Sequence, residues 1–153
     1  MQLAELNIAR LLYPQDDLRV KPFMDALDLV NGIAERSDGF VWRLKDDSGN
    51  ATEIDPFGDP QLIVNLSVWR DANALEKFVW NTVHKQFYRR RAEWFSVMKM
   101  EHFAMWFVED GHTPTVDEAK ERLEYLNEHG NSDYAFGWSH LPEVKLWLEA
   151  RCA

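Results

Sequence analysis

The sequence predicts an α+β domain: an antiparallel four-stranded sheet, two helices that cross between its strands, and a helical tail. Three observations lead there. Four short segments read as strands, and two of them, Leu3 to Ile8 and Gln61 to Arg70, alternate sides with the period of a strand. Two longer segments between them repeat apolar residues with the period of a helix. The 153 residues, 46% of them hydrophobic, suffice for one core and are too few to expect two independent ones.

The first strand runs from Leu3 to Ile8, with Leu6 and Ile8 on one side and Glu5 and Asn7 on the other. Beyond a loop at Pro14, Phe23, Ala26, Leu27, Val30, Ile33 and Ala34 recur at helical spacing, and Ser37-Asp38-Gly39 stops the helix. Gly39 to Leu44 reads as the second strand, followed by a polar turn from Lys45 to Asn50 and a breaker-rich loop from Asp55 to Pro60. Gln61 to Arg70 is the clearest strand, since Leu62, Val64, Leu66 and Val68 alternate with Ile63, Asn65, Ser67 and Trp69.

Asp71 is placed to cap a second helix, whose arc of Leu75, Phe78, Val79, Thr82, Val83 and Phe87 continues to Trp94 and makes it the longest of the chain. Phe103 to Val108 is the fourth strand. Thr115-Val116-Asp117-Glu118 then has capping-box spacing, in which Glu118 reaches back to Thr115, and the helix it opens ends near Gly130. Pro142 is placed to start a last helix containing Leu146, Trp147 and Leu148. Residues 1–110 thus read as the sheet domain and 111–153 as a helical extension packed on it.

Strand, helix, strand, strand, helix, strand is the ferredoxin-like order, whose crossovers put both helices on one face of the sheet. The aliphatic side of the strands is expected to meet those helices. The opposite side then carries Glu5, Asn7, Arg43, Asn65, Ser67, Trp69 and Trp106, with more large rings than a solvated face carries. Packing two such faces together would hide the rings, so the expectation is a homodimer enclosing a partly polar chamber for an unknown small molecule.

The formal charge of −9, from 17 basic and 26 acidic residues, disfavours nucleic acid as a partner. Arg89-Arg90-Arg91 is the local exception and reads as arginines forked onto carboxylates. Cys152 is the only cysteine, which fits a reducing compartment; with no leader and no long apolar run, the expected location is the cytoplasm, without a membrane partner. No His, Cys or glycine spacing of a metal or nucleotide site is present, so neither metal nor cofactor is expected.

His84 stands one turn from Trp80 and Tyr88 on the second helix, where an imidazole can serve at the cavity edge as a base or ligand, or be a structural His hydrogen-bonded to backbone. Asn7 and Asn65 are placed to face each other across neighbouring strands, either as a satisfied interior pair that sets strand register or to hold a ligand carbonyl or oxyanion. Arg43 on a chamber wall needs an acceptor, either Glu5 or an acidic ligand, while Trp69 and Trp106 supply rings to core, interface or ligand. The expected site is therefore His84 as catalytic residue with Asn7, Arg43, Asn65, Trp69 and Trp106 for ligand binding.

An ordered set of motifs spans nearly the whole chain. Asn7 and Asn31 precede Gly39-Phe40-Val41-Trp42-Arg43 and Asn65-Leu66-Ser67-Val68-Trp69; His84, Arg89-Arg90-Arg91-Ala92-Glu93-Trp94-Phe95 and Trp106 follow, then Gly111-His112-Thr113-Pro114-Thr115, Glu118-Ala119 and Ala135-Phe136. On these the chain resembles the domain of unknown function 3291 family. The resemblance implies the dimeric α+β barrel superfamily, which includes haem-degrading and quinol monooxygenases, isomerases and stress-response binding proteins, and it brings no established activity. Haem is disfavoured, because Trp80 and His84 are one helical turn apart where haem-degrading relatives space the pair by roughly three. The expected function is handling of a small molecule, as a cofactor-independent monooxygenase or isomerase, or as a non-catalytic binding or stress-response module.

Overall fold

The computed structural model describes residues 1–45, 57–81, 84–97 and 100–144; the side chain of His84 lies outside this description, as does the expected helix after Pro142 beyond residue 144. The chain forms β1 (Gln2–Arg10), α1 (Lys21–Arg36), β2 (Phe40–Arg43), β3 (Leu62–Trp69), α2 (Ala72–Asn81), α3 (His84–Arg89), α4 (Arg91–Trp94), β4 (Phe103–Val108) and α5 (Val116–His129). The four strands make one antiparallel sheet in the order β2-β3-β1-β4. Among the described residues no helix is long and apolar enough to cross a membrane.

Local chemistry sets the element ends. Pro22 opens α1, and Gly39 turns the chain from α1 into β2 at φ +86°, a conformation glycine takes without steric cost. A Cβ built at Gly39 would lie 2.4 Å from the Ala74 methyl, so the same glycine lets α2 approach the turn. The Asp71 carboxylate accepts from the Ala74 amide at 2.8 Å and caps α2, as its position predicts. Thr115 accepts from the Glu118 amide at 3.1 Å, but the Glu118 carboxylate takes the His112 ring at 3.0 Å instead of reaching back to Thr115.

The expected helix from Asp71 to Trp94 is interrupted at Arg90, between α3 and α4; residues 82 and 83, between α2 and α3, lie outside the described residues. At Arg90 the backbone turns, with the Arg90 amide bonded to the Phe87 carbonyl at 3.1 Å. The turn aims Trp94 into an apolar cluster with Leu11 and Val20, against Phe23, Phe87 and Phe95.

The two faces of the sheet are covered the other way round from the expectation. Ala4, Leu6, Ile8, Leu62, Val64, Leu66, Val68, Ala104, Trp106 and Val108 form the aliphatic face, and Ala119, Leu123 and Leu126 of α5 pack on it. All of these side chains are buried within the one chain. At about 1.5–3 kcal/mol for each large apolar side chain removed from water, the α5 contact is a substantial part of the core. Alternation alone shows that a face is apolar but not which helix covers it, and the stripe on α5 fits this one.

The helices α1 and α2 lie on the mixed face. Leu3, Trp69 and Met105 of the sheet pack there with Ala34, Leu75 and Phe78, and with Phe136 from the tail. Phe136 exchanges backbone hydrogen bonds with Met105 at 2.8 and 2.9 Å, and Trp138 stacks on Phe103, so the segment following α5 closes the β4 edge. Neither face is left open, which removes the reason for expecting two mixed faces to pack in a dimer.

Candidate functional site

On the mixed face, side chains fall into rows across neighbouring strands. Phe40, Trp69, Leu3 and Phe107 form an apolar row. Next to it run Arg43, Ser67, Glu5 and Met105, and then Asn65, Asn7 and Phe103. Helices pack over the apolar row at one end, and Trp94 with its cluster covers the region near Leu11 and Ile63 at the other. Between them no helix packs directly on the polar rows, where close packing would strand two amides and a carboxyl.

A cavity results, with two lobes that share a waist. One lobe, of about 630 Å³, is mainly apolar, with Ile8, Phe23, Leu27, Ile63, Phe87 and Phe95 in its wall. The other, of about 1130 Å³, is lined by Glu5, Ser67, Trp69, Phe78, Trp80 and Trp138. Asn7, Asn31, Arg43, Asn65, Tyr88 and Arg89 line both. The apolar arc of α1 that the sequence assigns to the core is half-buried at Phe23, Ala26, Leu27 and Val30, since it forms this wall.

The expected residues are largely brought together. Asn7 and Asn65 are direct partners across β1 and β3, and among the described residues neither side-chain amide is hydrogen-bonded, so both remain available to a ligand. Arg43 reaches the waist, and its acceptor is the Glu35 carboxylate at 2.7 Å rather than Glu5. That ion pair holds the Glu35 carboxyl below its ordinary range. Trp69 is buried, stacks on Phe78 at 5.2 Å, and shows an edge to the larger lobe.

Trp106 is not part of the cavity. It pairs with Ala4 and stands on the aliphatic face, fully buried, with the Arg122 guanidinium over its ring at 5.9 Å. Trp106 and Trp69 point oppositely because the pairing of β1 with both strands puts Ala4 and Leu3 on opposite faces. His84 opens α3, and its side chain lies outside the described residues. Among the described residues only Arg90 of the arginine triplet forks onto a carboxylate, that of Glu93; Arg91 lies over the Tyr88 ring, and both Arg89 and Arg91 line the cavity.

Glu5, expected on this side only as an acceptor for Arg43, stands in the larger lobe with Ser67 as its partner instead. It is 5% exposed, and its Oε1 accepts from the Ser67 hydroxyl at 2.6 Å. Ser67 in turn accepts from the Trp69 indole N–H at 2.9 Å. Burial pushes the Glu5 carboxyl up to about 8, the Ser67 hydrogen bond acting in the opposite direction. Its other oxygen has no partner among the described residues. The available signal was a carboxylate within an apolar central strand, Leu3-Ala4-Glu5-Leu6. Trp80, also in the larger lobe, has a buried indole N–H without an acceptor among the described residues.

This arrangement has an apolar container, unbonded amides at its waist, and a carboxyl able to hold or release a proton near neutral pH. The chain that folds into it belongs to the family described as domain of unknown function (DUF3291), whose model matches residues 2–151. Among solved structures it is similar to a conserved protein from Methanosarcina mazei Go1, at 11% identity and TM-score 0.53, over 71% of this chain and 94% of that one. A second, PA3566 from Pseudomonas aeruginosa, has 17% identity and TM-score 0.49 over the same shares. The first likeness is one of fold alone. No curated protein matches the sequence.

Proposed function

We propose that the protein binds a small molecule in the cavity between sheet and helices and moves a proton on it, without a cofactor, as an isomerase or a monooxygenase. The observation that carries this reading is Glu5, a buried carboxyl pushed up to about 8 at the wall of a cavity with unbonded amides. A group that titrates near working pH can both take a proton from carbon and give it back. The amides of Asn7 and Asn65 would hold the oxygen of the enolate so formed. An isomerase returns the proton to a different carbon. A monooxygenase of this kind lets the carbanion react with dioxygen, so that a CH₂ and O₂ become a carbonyl and water, with the substrate supplying the electrons.

The element order and antiparallel pairing support a ferredoxin-like reading and, through it, kinship with the dimeric α+β barrels. With α5 in place, a homodimer would have to use a surface other than the aliphatic face. A non-catalytic receptor is the second reading, since the same cavity suits it.

Incubating the protein with a low-molecular-weight cell extract in D₂O, followed by mass spectrometry, tests the proposal. Deuterium entering one metabolite supports the isomerase, and a gain of one oxygen with loss of two hydrogens supports the monooxygenase. Glu5→Gln is expected to reduce either by about 10²-fold or more. No change in any metabolite would overturn catalysis in favour of the receptor, and loss of turnover in His84→Ala with Glu5→Gln unaffected would move the proton-carrying role to His84.

A further inference from the structure

The cations of this acidic chain are unevenly used. Arg19, Arg43, Arg70 and Arg90 each pair with a carboxylate, of Asp17, Glu35, Asp38 and Glu93 respectively. Arg89 and Lys85 have no such partner among the described residues, and both line the cavity, Arg89 at the waist and Lys85 in the larger lobe. Arg91 joins them at the waist, its guanidinium 3.9 Å from the Tyr88 ring centroid and donating to the Tyr88 carbonyl at 2.8 Å. His102 completes that rim. On the acidic side, Glu101 lines the larger lobe, and Glu5 lies behind it at the sheet.

We infer that the cavity selects an organic anion: a molecule with one carboxylate, held at the waist by Arg89 and Arg91, and an apolar body seated in the smaller lobe. The inference rests on the reading of this cavity as a small-molecule site and adds the class of ligand. Three features carry it. A guanidinium without a protein carboxylate, at the edge of an apolar container, offers the forked donors that a carboxylate accepts. The apolar lobe, at about 630 Å³, lies in the range that encloses small organic molecules, and its wall of Phe23, Leu27, Ile63, Phe87 and Phe95 favours an aliphatic or aromatic body over a sugar. The free amides of Asn7 and Asn65 sit on the same waist, where they can donate to a carboxylate held by the arginines.

The formal charge of −9 makes the choice sharper, because the wider field of the protein repels anions. A dianionic phosphate is opposed more strongly than a monoanion by that field. A carboxylate with a hydrophobic body also gains from burial of the body, which phosphate alone does not.

Naphthoate and naphthylmethanol share a body and differ in the anion, so isothermal titration calorimetry on the full-length protein separates the claims. Naphthoate is expected to bind about tenfold more tightly than the alcohol at low salt, with the preference shrinking as salt is raised. Arg89→Gln, which removes no ion pair or side-chain hydrogen bond among the described residues, is expected to reduce that preference to about threefold or less while the alcohol binds as before. Equal binding of the two probes, or a preference that survives Arg89→Gln and Arg91→Gln together, would overturn the anion inference and leave the small-molecule reading standing. Binding of neither probe would overturn both.

Discussion

Ser67 on β3 donates its hydroxyl proton to Glu5 on β1 at 2.6 Å, from the position directly across the sheet. Trp69 donates to the same hydroxyl oxygen at 2.9 Å and so orients it toward the carboxyl. A buried carboxyl is thus held by one hydrogen bond, too few to keep it ionised at neutral pH.

The linkage has a definite sign. Glu5 is raised in the fold to about 8 from an ordinary 4.5, so the native state holds a proton that the unfolded chain has released between those values. Its contribution to stability is fully present below about 4.5 and is lost as pH rises to about 8. In Glu5→Gln this decline is expected to disappear, and the variant should gain on the wild type by up to about 1.4 kcal/mol per pH unit across the window. Urea unfolding at several pH values checks this, and parallel profiles for the two proteins would contradict it.

Helix α5 is expected to hold the aliphatic face as a core element. Leu123 is 4% exposed against Val64, Leu66 and their neighbours, so Leu123→Ala is expected to destabilise the fold by about 2–5 kcal/mol. Chemical denaturation gives the number. A loss below about 0.5 kcal/mol, as surface substitutions show, would mean that α5 does not pack there.

The sequence made the strands and helix caps legible because they depend on near neighbours. Alternation in Leu62 to Trp69 marked β3, and Asp71 and Thr115 marked their helices by chemistry confined to one turn. The facing of the sheet was not legible. Leu66 and Val68 show equally well that they need cover whether α1, α5 or a second chain supplies it, and the choice depends on contacts far apart in sequence. Asn7 and Asn65 were found because equal alternation on two strands implied their pairing. Arg43 was found without its partner, as Glu35 reaches it from α1 through tertiary packing. Glu5 is expected on this face as an acceptor for Arg43, but its raised protonation depends on burial, which a single strand's sequence does not show.

The turn at Gly39 is expected to resist side chains. Gly39→Ala would place a methyl 2.4 Å from the Ala74 methyl and force an L-residue to φ +86°. The expected cost is about 1–3 kcal/mol from the backbone conformation alone, with crowding in addition. Thermal unfolding measures it, and an unchanged midpoint would mean that α2 does not approach the turn.

Asp71→Ala is expected to cost about 1 kcal/mol through loss of the Ala74 amide's acceptor. Asp71→Asn should recover most of that, since an amide oxygen also accepts at this position. Equal stability of Asp71→Ala and the wild type would remove the cap from the account.

The most direct test of the central claim is the titration of Glu5 followed by carboxyl ¹³C NMR in protein labelled at glutamate, with Glu5→Gln to assign the signal. The expected result is a carboxyl that changes charge near pH 8 and whose titration shifts when naphthoate is added. If every glutamate carboxyl titrates near its ordinary value, Glu5 is ionised at neutral pH and cannot be the proton carrier of the cavity.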